Sequence, residues 1–289
     1  MKKIILTIAL CVTTIVSMAQ TKTINIVIPG AAGGLLDWPV RELEHVIKNA
    51  GYTTETQMVN SCQGAVSWLK NNPDKPAVMA SSVMLAQSDS GCNLEYNKNN
   101  FLGIAVASYM AICSMLPPDQ ALNKFLQDRS KIGVTLNAPD QFKELQDIID
   151  TMHLNSKIIY YQGGPKFNQA LISGDVDFVL SSFTTEAIIS AGGNCFLTTG
   201  NKKYADQVGQ TSLATISPDS KWIDSYFLLN YLGFNIDVNL MRKFVEVAKQ
   251  GEVMQNKQRK LGYPPGGMFA GKNIDQQWDQ HKKYIELFK

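Results

Sequence analysis

Short apolar strands alternate with amphipathic helices over most of the chain. Residues 24–28 form a β-branched run, which Pro29 and the glycines after it end. A helix is expected next, because apolar residues recur there at helical spacing and Asp37 stands before them as an N-cap. The same order of strand, loop and helix then returns. Strands are expected at 54–59, 77–80 and 102–116.

A second series of these units follows Pro117 and Pro118. Further strands are expected at 131–136, 157–161, 176–180, 196–199 and 226–234. Helices are expected at 139–152, from Pro165, at 238–250 and at 274–288. Alternation of this kind predicts an α/β fold in which parallel strands are covered by helices. A chain of 289 residues with 45% hydrophobic content is long enough for about two domains.

The first residues have the pattern of a secretory signal peptide. Lys2 and Lys3 precede an uncharged apolar run at 4–16, and small residues stand at Ser17 and Ala19. Residues 1–19 are therefore expected to be removed on export, which predicts a periplasmic protein. Removal of the two lysines leaves 25 basic against 25 acidic residues, so the remaining chain is formally neutral. Neutrality disfavours nucleic acid as a partner, because nucleic acid binding needs clustered Lys and Arg.

Four cysteines remain after this segment: Cys62, Cys92, Cys113 and Cys195. An even number in an oxidising compartment permits two disulfides with three connectivities, which the sequence does not rank. Buried free thiols are the alternative. The spacings do not resemble a zinc site, which needs ligands a few residues apart. No metal and no cofactor is expected.

Two glycine-rich segments stand between a strand and a helix. The first contains Gly30, Gly33 and Gly34, and such a loop presents backbone N–H groups to an anion at a helix N-terminus. It matches neither G-x-G-x-x-G nor a phosphate-binding loop, which favours a carboxylate over a polyphosphate; a tight turn without a ligand is the alternative. The second, Gly163 and Gly164, precedes a helix that Pro165 opens. Two such helix starts predict a cleft that holds one anion from both sides.

These segments carry a resemblance to a known family. Gly33, Gly34, Asp37 and Arg41 resemble the Gly-Gly-x-x-Asp-x-x-x-Arg element of the periplasmic solute-binding proteins of tripartite tricarboxylate transporters, the Bug-type family. Residues 161–177 are similar to the Tyr-Lys-Gly and Leu-x-x-Gly-x-Val-Asp element of that family. Residues 191–199 and 261–264 continue in the order of the family, so the resemblance spans nearly the whole exported chain.

The resemblance implies a two-lobe periplasmic-binding-protein fold of type II, with a mixed sheet flanked by helices in each lobe and the ligand cleft between the lobes. Residues 20–111 and 226–289 would form the first lobe, and residues 112–225 the second. It further implies a monomeric extracytoplasmic receptor that closes on a small mono-, di- or tricarboxylate. The loaded receptor would deliver this ligand to the membrane subunits of a tripartite tricarboxylate transporter.

The family holds its ligand largely through backbone N–H groups and water. Carried over by position, the expected ligand-binding residues are Ala32, Gly33, Gly34, Asp37, Asn60, Gly64, Thr135, Asn137, Tyr161, Gly163 and Gly164. The chain departs from the family where a Gly/Ser-rich loop has become residues 135–138, and this change bears on the identity of the ligand. Since the exported chain holds only four arginines, glycine-loop amides and helix N-termini are expected to hold the carboxylate.

Two other functions compete with transport. The same fold could present its ligand to a membrane sensor kinase, which the sequence does not separate from delivery to a permease. An exported hydrolase would need His45, His153 or His281 beside a nucleophile. His45 and His153 are expected on helix surfaces, and the sequence contains no G-x-S-x-G elbow. No catalytic residue is therefore expected.

Overall fold

A computed structural model describes residues 23–30, 36–59, 61–82, 94–135, 139–182, 185–250, 268–270 and 274–286. The strands are β1 (Thr23–Ile28), β2 (Thr53–Met58), β3 (Ala77–Ser82), β4 (Phe101–Tyr109), β5 (Ala111–Ser114), β6 (Ser130–Thr135), β7 (Ser156–Tyr161), β8 (Phe178–Ser181), β9 (Asn194–Thr198), β10 (Thr211–Ser212), β11 (Tyr226–Phe234) and β12 (Met268–Ala270). They form two six-stranded sheets, with the orders β12-β4-β11-β3-β1-β2 and β10-β9-β5-β8-β6-β7.

Helices flank both sheets. They are α1 (Asp37–Asn49), α2 (Cys62–Asn71), α3 (Pro118–Gln127), α4 (Pro139–Thr151), α5 (Gly164–Ser173), α6 (Thr185–Ser190), α7 (Lys202–Val208), α8 (Leu213–Ile216), α9 (Val238–Gln250) and α10 (Ile274–Glu286). The inner strands are buried along nearly their whole length, with β4 buried at its first eight positions. Strands covered on both faces read as continuous apolar runs, which is why they stand out in the sequence. The expected α/β fold is confirmed.

Both sheets are mixed. In the first, β1 pairs in parallel with β2 and β3, whereas β11 runs antiparallel to β3 and β4. In the second, β6 pairs in parallel with β7 and β8, whereas β5 runs antiparallel to β8 and β9. The alternation of strands and helices predicted only parallel strands. That prediction fails for β5 and β11, the strands that begin where the chain passes from one sheet to the other.

Within the described residues, the chain passes from one sheet to the other at two points. β4 ends at Tyr109 in the first sheet, and after Met110 the next strand begins at Ala111 in the second. The return crossing runs through Ser225 into β11, which starts at Tyr226. The single strand expected at 102–116 was therefore wrong, because the apolar run continues through Met110 while its pairing partners change.

Three local expectations also need correction or completion. Asp37 is the first residue of α1 and not its N-cap, since the N-cap is Leu36 and no side chain caps this helix. The helix expected from Pro165 begins one residue earlier, at Gly164. The short elements α3, α6, α7, α8, β10 and β12 were not predicted. Among the described residues, no helix is both long enough and apolar enough to cross a membrane.

Candidate functional site

The two sheets turn the carboxyl ends of their parallel strands toward the crossing segments. Ile28 pairs with Met58 at the end of β1 and β2, and Thr135 pairs with Tyr161 at the end of β6 and β7. At the same edges Leu229, near the start of β11, pairs with Ser82, the last residue of β3. Ala111 pairs likewise with Ser181, the last residue of β8. Open α/β sheets bind ligands at the carboxyl ends of their strands, so the candidate site lies between these two edges.

Thr135 and Tyr161 come together at the edge of the second sheet. Thr135 is buried, and Tyr161 is half-buried against a small core that includes Val179. The ordinary pKa of a tyrosine, 10, already keeps the Tyr161 phenol neutral at pH 7, and burial and then the charge of Asp175 raise this pKa further. Its neighbour Tyr160 is 48% exposed and packs on Phe142 instead. The strand thus turns one tyrosine of the pair toward the core, as expected from alternation.

Gly163 and Gly164 begin α5 directly after β7. Gly163 is the N-cap, with φ +86° and ψ 159°, a backbone conformation that favours glycine. Its own N–H donates to the carbonyl of Tyr161 at 3.1 Å. Pro165 occupies the second helical position, where a missing N–H costs no intrahelical bond. The positive end of α5 therefore opens at the candidate site.

Gly64 lies in the first turn of α2, on the first-sheet side. Its N–H donates to the hydroxyl of Ser61, the N-cap of the helix, at 3.0 Å. A Cβ at Gly64 would lie 2.5 Å from the carbonyl oxygen of Val59, so a side chain cannot fit without a backbone shift. Close packing at the start of α2 thus accounts for this glycine. A direct role in ligand binding stays a prediction.

The remaining expected site residues are less fully described. Asp37 stands at the first position of α1, behind the end of β1. Five others lie outside the described residues: Ala32, Gly33, Gly34, Asn60 and Asn137. Their part in the site stays a prediction from the sequence.

Sequence reasoning missed two buried polar residues of α4. The Gln141 amide nitrogen lies 3.4 Å from the hydroxyl of Ser182, and the Glu144 carboxylate accepts from the hydroxyl of Ser225 at 3.1 Å. Both side chains are buried. They connect α4 to the end of β8 and to the return crossing. The sequence does contain a signal for this pair. Gln141 and Glu144 are three positions apart, on the same helical stripe as Leu145, which faces the core.

The histidines stand apart from this site. His45 is exposed on α1, as expected, whereas His153 is exposed in the turn that follows α4 and not on a helix. His281 is buried in α10, where its Nε2 lies 2.6 Å from the Tyr96 hydroxyl and its Nδ1 3.3 Å from the Asn230 amide nitrogen. Within the described part of the chain, no three His, Cys, Asp or Glu side chains come together as metal ligands would.

An open cavity of about 1050 Å³ lies at the opposite end of the first sheet. It is bordered by Thr23 and Pro76, next to the amino ends of β1 and β3, and by several Asn and Asp residues. The carboxylate of Asp237 accepts from the Asn239 N–H at 2.7 Å, and the Asn97 side chain accepts from the Asn99 N–H at 2.9 Å. Both side chains are thus occupied by backbone N–H groups of their own chain segments. We therefore keep the carboxyl edges of the two sheets as the candidate site.

Comparison with solved structures finds the same fold in periplasmic binding proteins. BugD is 16% identical, with a TM-score of 0.72 over 92% of this chain and 95% of BugD. MatC of Rhodopseudomonas palustris, in a structure with bound malate, is 11% identical, with a TM-score of 0.68 over 92% and 97% of the two chains. Another R. palustris protein, in a structure with adipate, is 12% identical, with a TM-score of 0.72 over 93% and 95%.

No family model and no curated protein sequence matches the chain. At identities of 11 to 16%, the likeness to the solved structures bears on the fold. These neighbours include a Bug-type and a TctC solute-binding protein, the class that the sequence motifs indicated. The chain therefore has the two-lobe fold of the periplasmic binding proteins, as the resemblance predicted.

Proposed function

We propose that this chain is an extracytoplasmic receptor that closes its two lobes on a small carboxylate. One observation carries the proposal: helices α1 and α5 begin at the carboxyl edges of the two sheets, and both edges border the crossing segments. Two helix N-termini on opposite sides of a cleft can hold one anion between them. Residues 20–111 with 226–289 are proposed as the first lobe, and residues 112–225 as the second.

The chemistry of the edges suits a carboxylate held by neutral donors. In the second lobe, the amides at the start of α5 and the residues Thr135 and Tyr161, which pair at the ends of β6 and β7, are proposed donors. In the first lobe, the amides of residues 32–34 and the side chain of Asn60 are proposed donors. Asp37 would orient a hydroxyl group of the ligand. Malate and adipate, which occur in the structures of two fold neighbours, are the first ligands to try.

A thermal-shift screen over organic acids tests the ligand class. Malate, adipate and citrate are compared with amino acids and neutral sugars at equal concentrations. A true ligand at about one hundred times its Kd adds about 2.7 kcal/mol to the free energy of unfolding. A carboxylate is expected to raise Tm while the other classes leave it unchanged. A shift with sugars or amino acids alone would show that the ligand class is wrong.

Substitution of Gly34 tests the first loop. Gly34→Val should abolish binding of the carboxylate found in the screen, because the side chain would block its approach to the backbone amides. Gly34→Ala is the graded control and should weaken binding less. The unliganded Tm of both variants should stay near that of the wild type. Unchanged affinity in Gly34→Val would show that the loop is a turn without a ligand.

We further propose that the loaded receptor delivers its ligand to a membrane transporter of the tripartite tricarboxylate type. Uptake of the radiolabelled carboxylate is compared in cells with and without the gene for this chain. Loss of uptake supports delivery to a permease. Unchanged uptake with loss of a transcriptional response to the carboxylate would instead assign the receptor to a sensor kinase.

A further inference from the structure

One hydroxyl group lies between the two crossing segments. The Thr199 Oγ1 atom accepts a hydrogen bond from the N–H of Met110 at 3.1 Å, in the outgoing crossing. The same hydroxyl donates to the carbonyl of Ser225 at 2.8 Å, in the return crossing. All three residues are buried. A single side chain of the second lobe therefore holds both connections between the lobes.

Backbone contacts strengthen this attachment on the second-lobe side. The carbonyl of Met110 accepts from the Thr199 N–H at 3.0 Å and from the Thr198 hydroxyl at 3.1 Å. The Asp224 N–H donates to the carbonyl of Thr199 at 2.7 Å. Both crossings are thus fastened to the end of β9. Rotation of one lobe against the other must occur between this attachment and β4 and β11, whose residues Tyr109 and Tyr226 pair in the first sheet.

A second contact spans that bending point. The Tyr109 hydroxyl, on the first-lobe side, donates to the Asp224 carboxylate at 3.1 Å. The same carboxylate oxygen accepts from the N–H of Asn201, on the second-lobe side, at 3.0 Å. Asp224 has a φ of +60°, in the left-handed region that Asp adopts more readily than most non-glycine residues. The contact between Tyr109 and Asp224 is therefore sensitive to the angle between the lobes.

We infer that Thr199 is the positioning residue of the hinge and that its hydroxyl sets the angle between the lobes. It acts on the crossings and does not touch the ligand. Without the hydroxyl, a buried N–H and a buried carbonyl lose a partner in the present arrangement, so other lobe angles become competitive. The effect on ligand affinity rests on the proposed function, whereas the effect on the lobe angle of the unliganded chain does not.

Thr199→Val and Thr199→Ser form the matched pair that tests this inference. Valine has the shape of threonine without the hydroxyl, and serine keeps the hydroxyl. Nitroxide labels on cysteines introduced at the exposed Ser67 of α2 and Gln169 of α5 report the distance between the lobes by pulsed electron spin resonance. The parent chain without these cysteines must take up no label. In the unliganded chain, Thr199→Val is expected to at least double the width of the distance distribution, and Thr199→Ser to leave it unchanged.

Tyr109→Phe is the second variant, and it guards against a folding defect in Thr199→Val. It removes the hydrogen bond across the bending point while the ring keeps its packing on Tyr204, and it should shift or widen the same distribution. With a carboxylate that the wild type binds, Thr199→Val should raise Kd about tenfold through faster dissociation, and Thr199→Ser by less than twofold. A folded Thr199→Val variant with the distance distribution of the wild type would overturn the inference. If Thr199→Val does not fold, a wild-type distribution in Tyr109→Phe would overturn it instead. A wild type that binds no carboxylate would overturn the proposed function and leave the distance measurement to decide the hinge.

Discussion

At the scale of single residues, His281 makes the stability of the fold depend on pH. Burial lowers the pKa of His281 to about 4, so its imidazole is neutral at pH 7. With Nδ1 accepting from Asn230, the ring proton lies on Nε2 and faces the Tyr96 hydroxyl. A second proton would place an N–H at Nδ1 against the Asn230 amide group. Protonation of His281 is therefore unfavourable in the native state.

The free energy of unfolding is expected to fall as the pH decreases from 6.5 to 4. The ordinary pKa of His281 is 6.5, so in this range the unfolded chain takes up a proton that the native state does not. The stabilisation is complete above pH 6.5 and is lost progressively below it, by about 3 kcal/mol in total. Urea titrations at pH 7, 5.5 and 4.5 measure this loss.

His281→Gln provides the control for this prediction. Glutamine can form hydrogen bonds but does not titrate, so the variant should lose less stability over the same range. Acidic residues such as Asp147 and Asp177, whose ion pairs with lysines lower their pKa values, titrate in both proteins and cancel in the comparison. Equal pH slopes in the two proteins would contradict the role assigned to His281.

At the scale of single elements, the start of α2 depends on Gly64. The carbonyl oxygen of Val59 lies where a Cβ at Gly64 would be, and the Ser61 hydroxyl caps the helix through the Gly64 N–H. Gly64→Ala should lower the free energy of unfolding by about 2 kcal/mol, as overpacking does. Ser61→Ala should cost about 1 kcal/mol through the lost cap. Urea unfolding measures both, with Ser67→Ala on the exposed face of α2 as the neutral control. A Gly64→Ala variant as stable as the wild type would contradict the close packing.

The elements that the sequence predicts best depend on local patterns. β11 and α9 have the bounds that their apolar run and helical spacing indicated, and α5 begins at the glycine pair. The apolar run itself does not mark the change of sheet at Met110, because Thr199 and Ser225 fix it from distant parts of the chain. Only the family resemblance put a lobe boundary close to it, after residue 111. Helices α6 and α8, with 6 and 4 residues, are too short to show a period.

The difference between local patterns and contacts of distant residues also separates the part of the site that was predicted from the part that was missed. A glycine-rich strand-to-helix connection is visible in the sequence because it needs particular residue types at neighbouring positions. The polar residues Gln141 and Glu144 in α4 have their partners 41 and 81 positions away. Residues whose partners lie this far away in the sequence become recognisable only when the fold is known.

At the scale of the whole molecule, disulfide bonds link parts of the chain that are distant in sequence. Cys113 and Cys195 form a disulfide, and they face each other on β5 and β9 of the second sheet. Cys62 is also disulfide-bonded. Of the alternatives that the sequence left open, free thiols are wrong for these three residues. Since Cys92 is the remaining cysteine after the N-terminal segment, we predict a second disulfide between Cys62 and Cys92, which peptide mapping without reductant would detect.

The disulfide between Cys113 and Cys195 is expected to stabilise the second lobe selectively. It closes a loop with a sequence separation of 82, which restricts the unfolded chain and corresponds to about 4.5 kcal/mol in the chain-entropy model. That loop contains β6, β7 and β8 and no strand of the first sheet. Replacing both cysteines by alanine should therefore speed amide hydrogen exchange in these strands by far more than in β1 and β3. Equal acceleration in both sheets would show that the lobes unfold as one unit, and the disulfide would then stabilise the molecule as a whole.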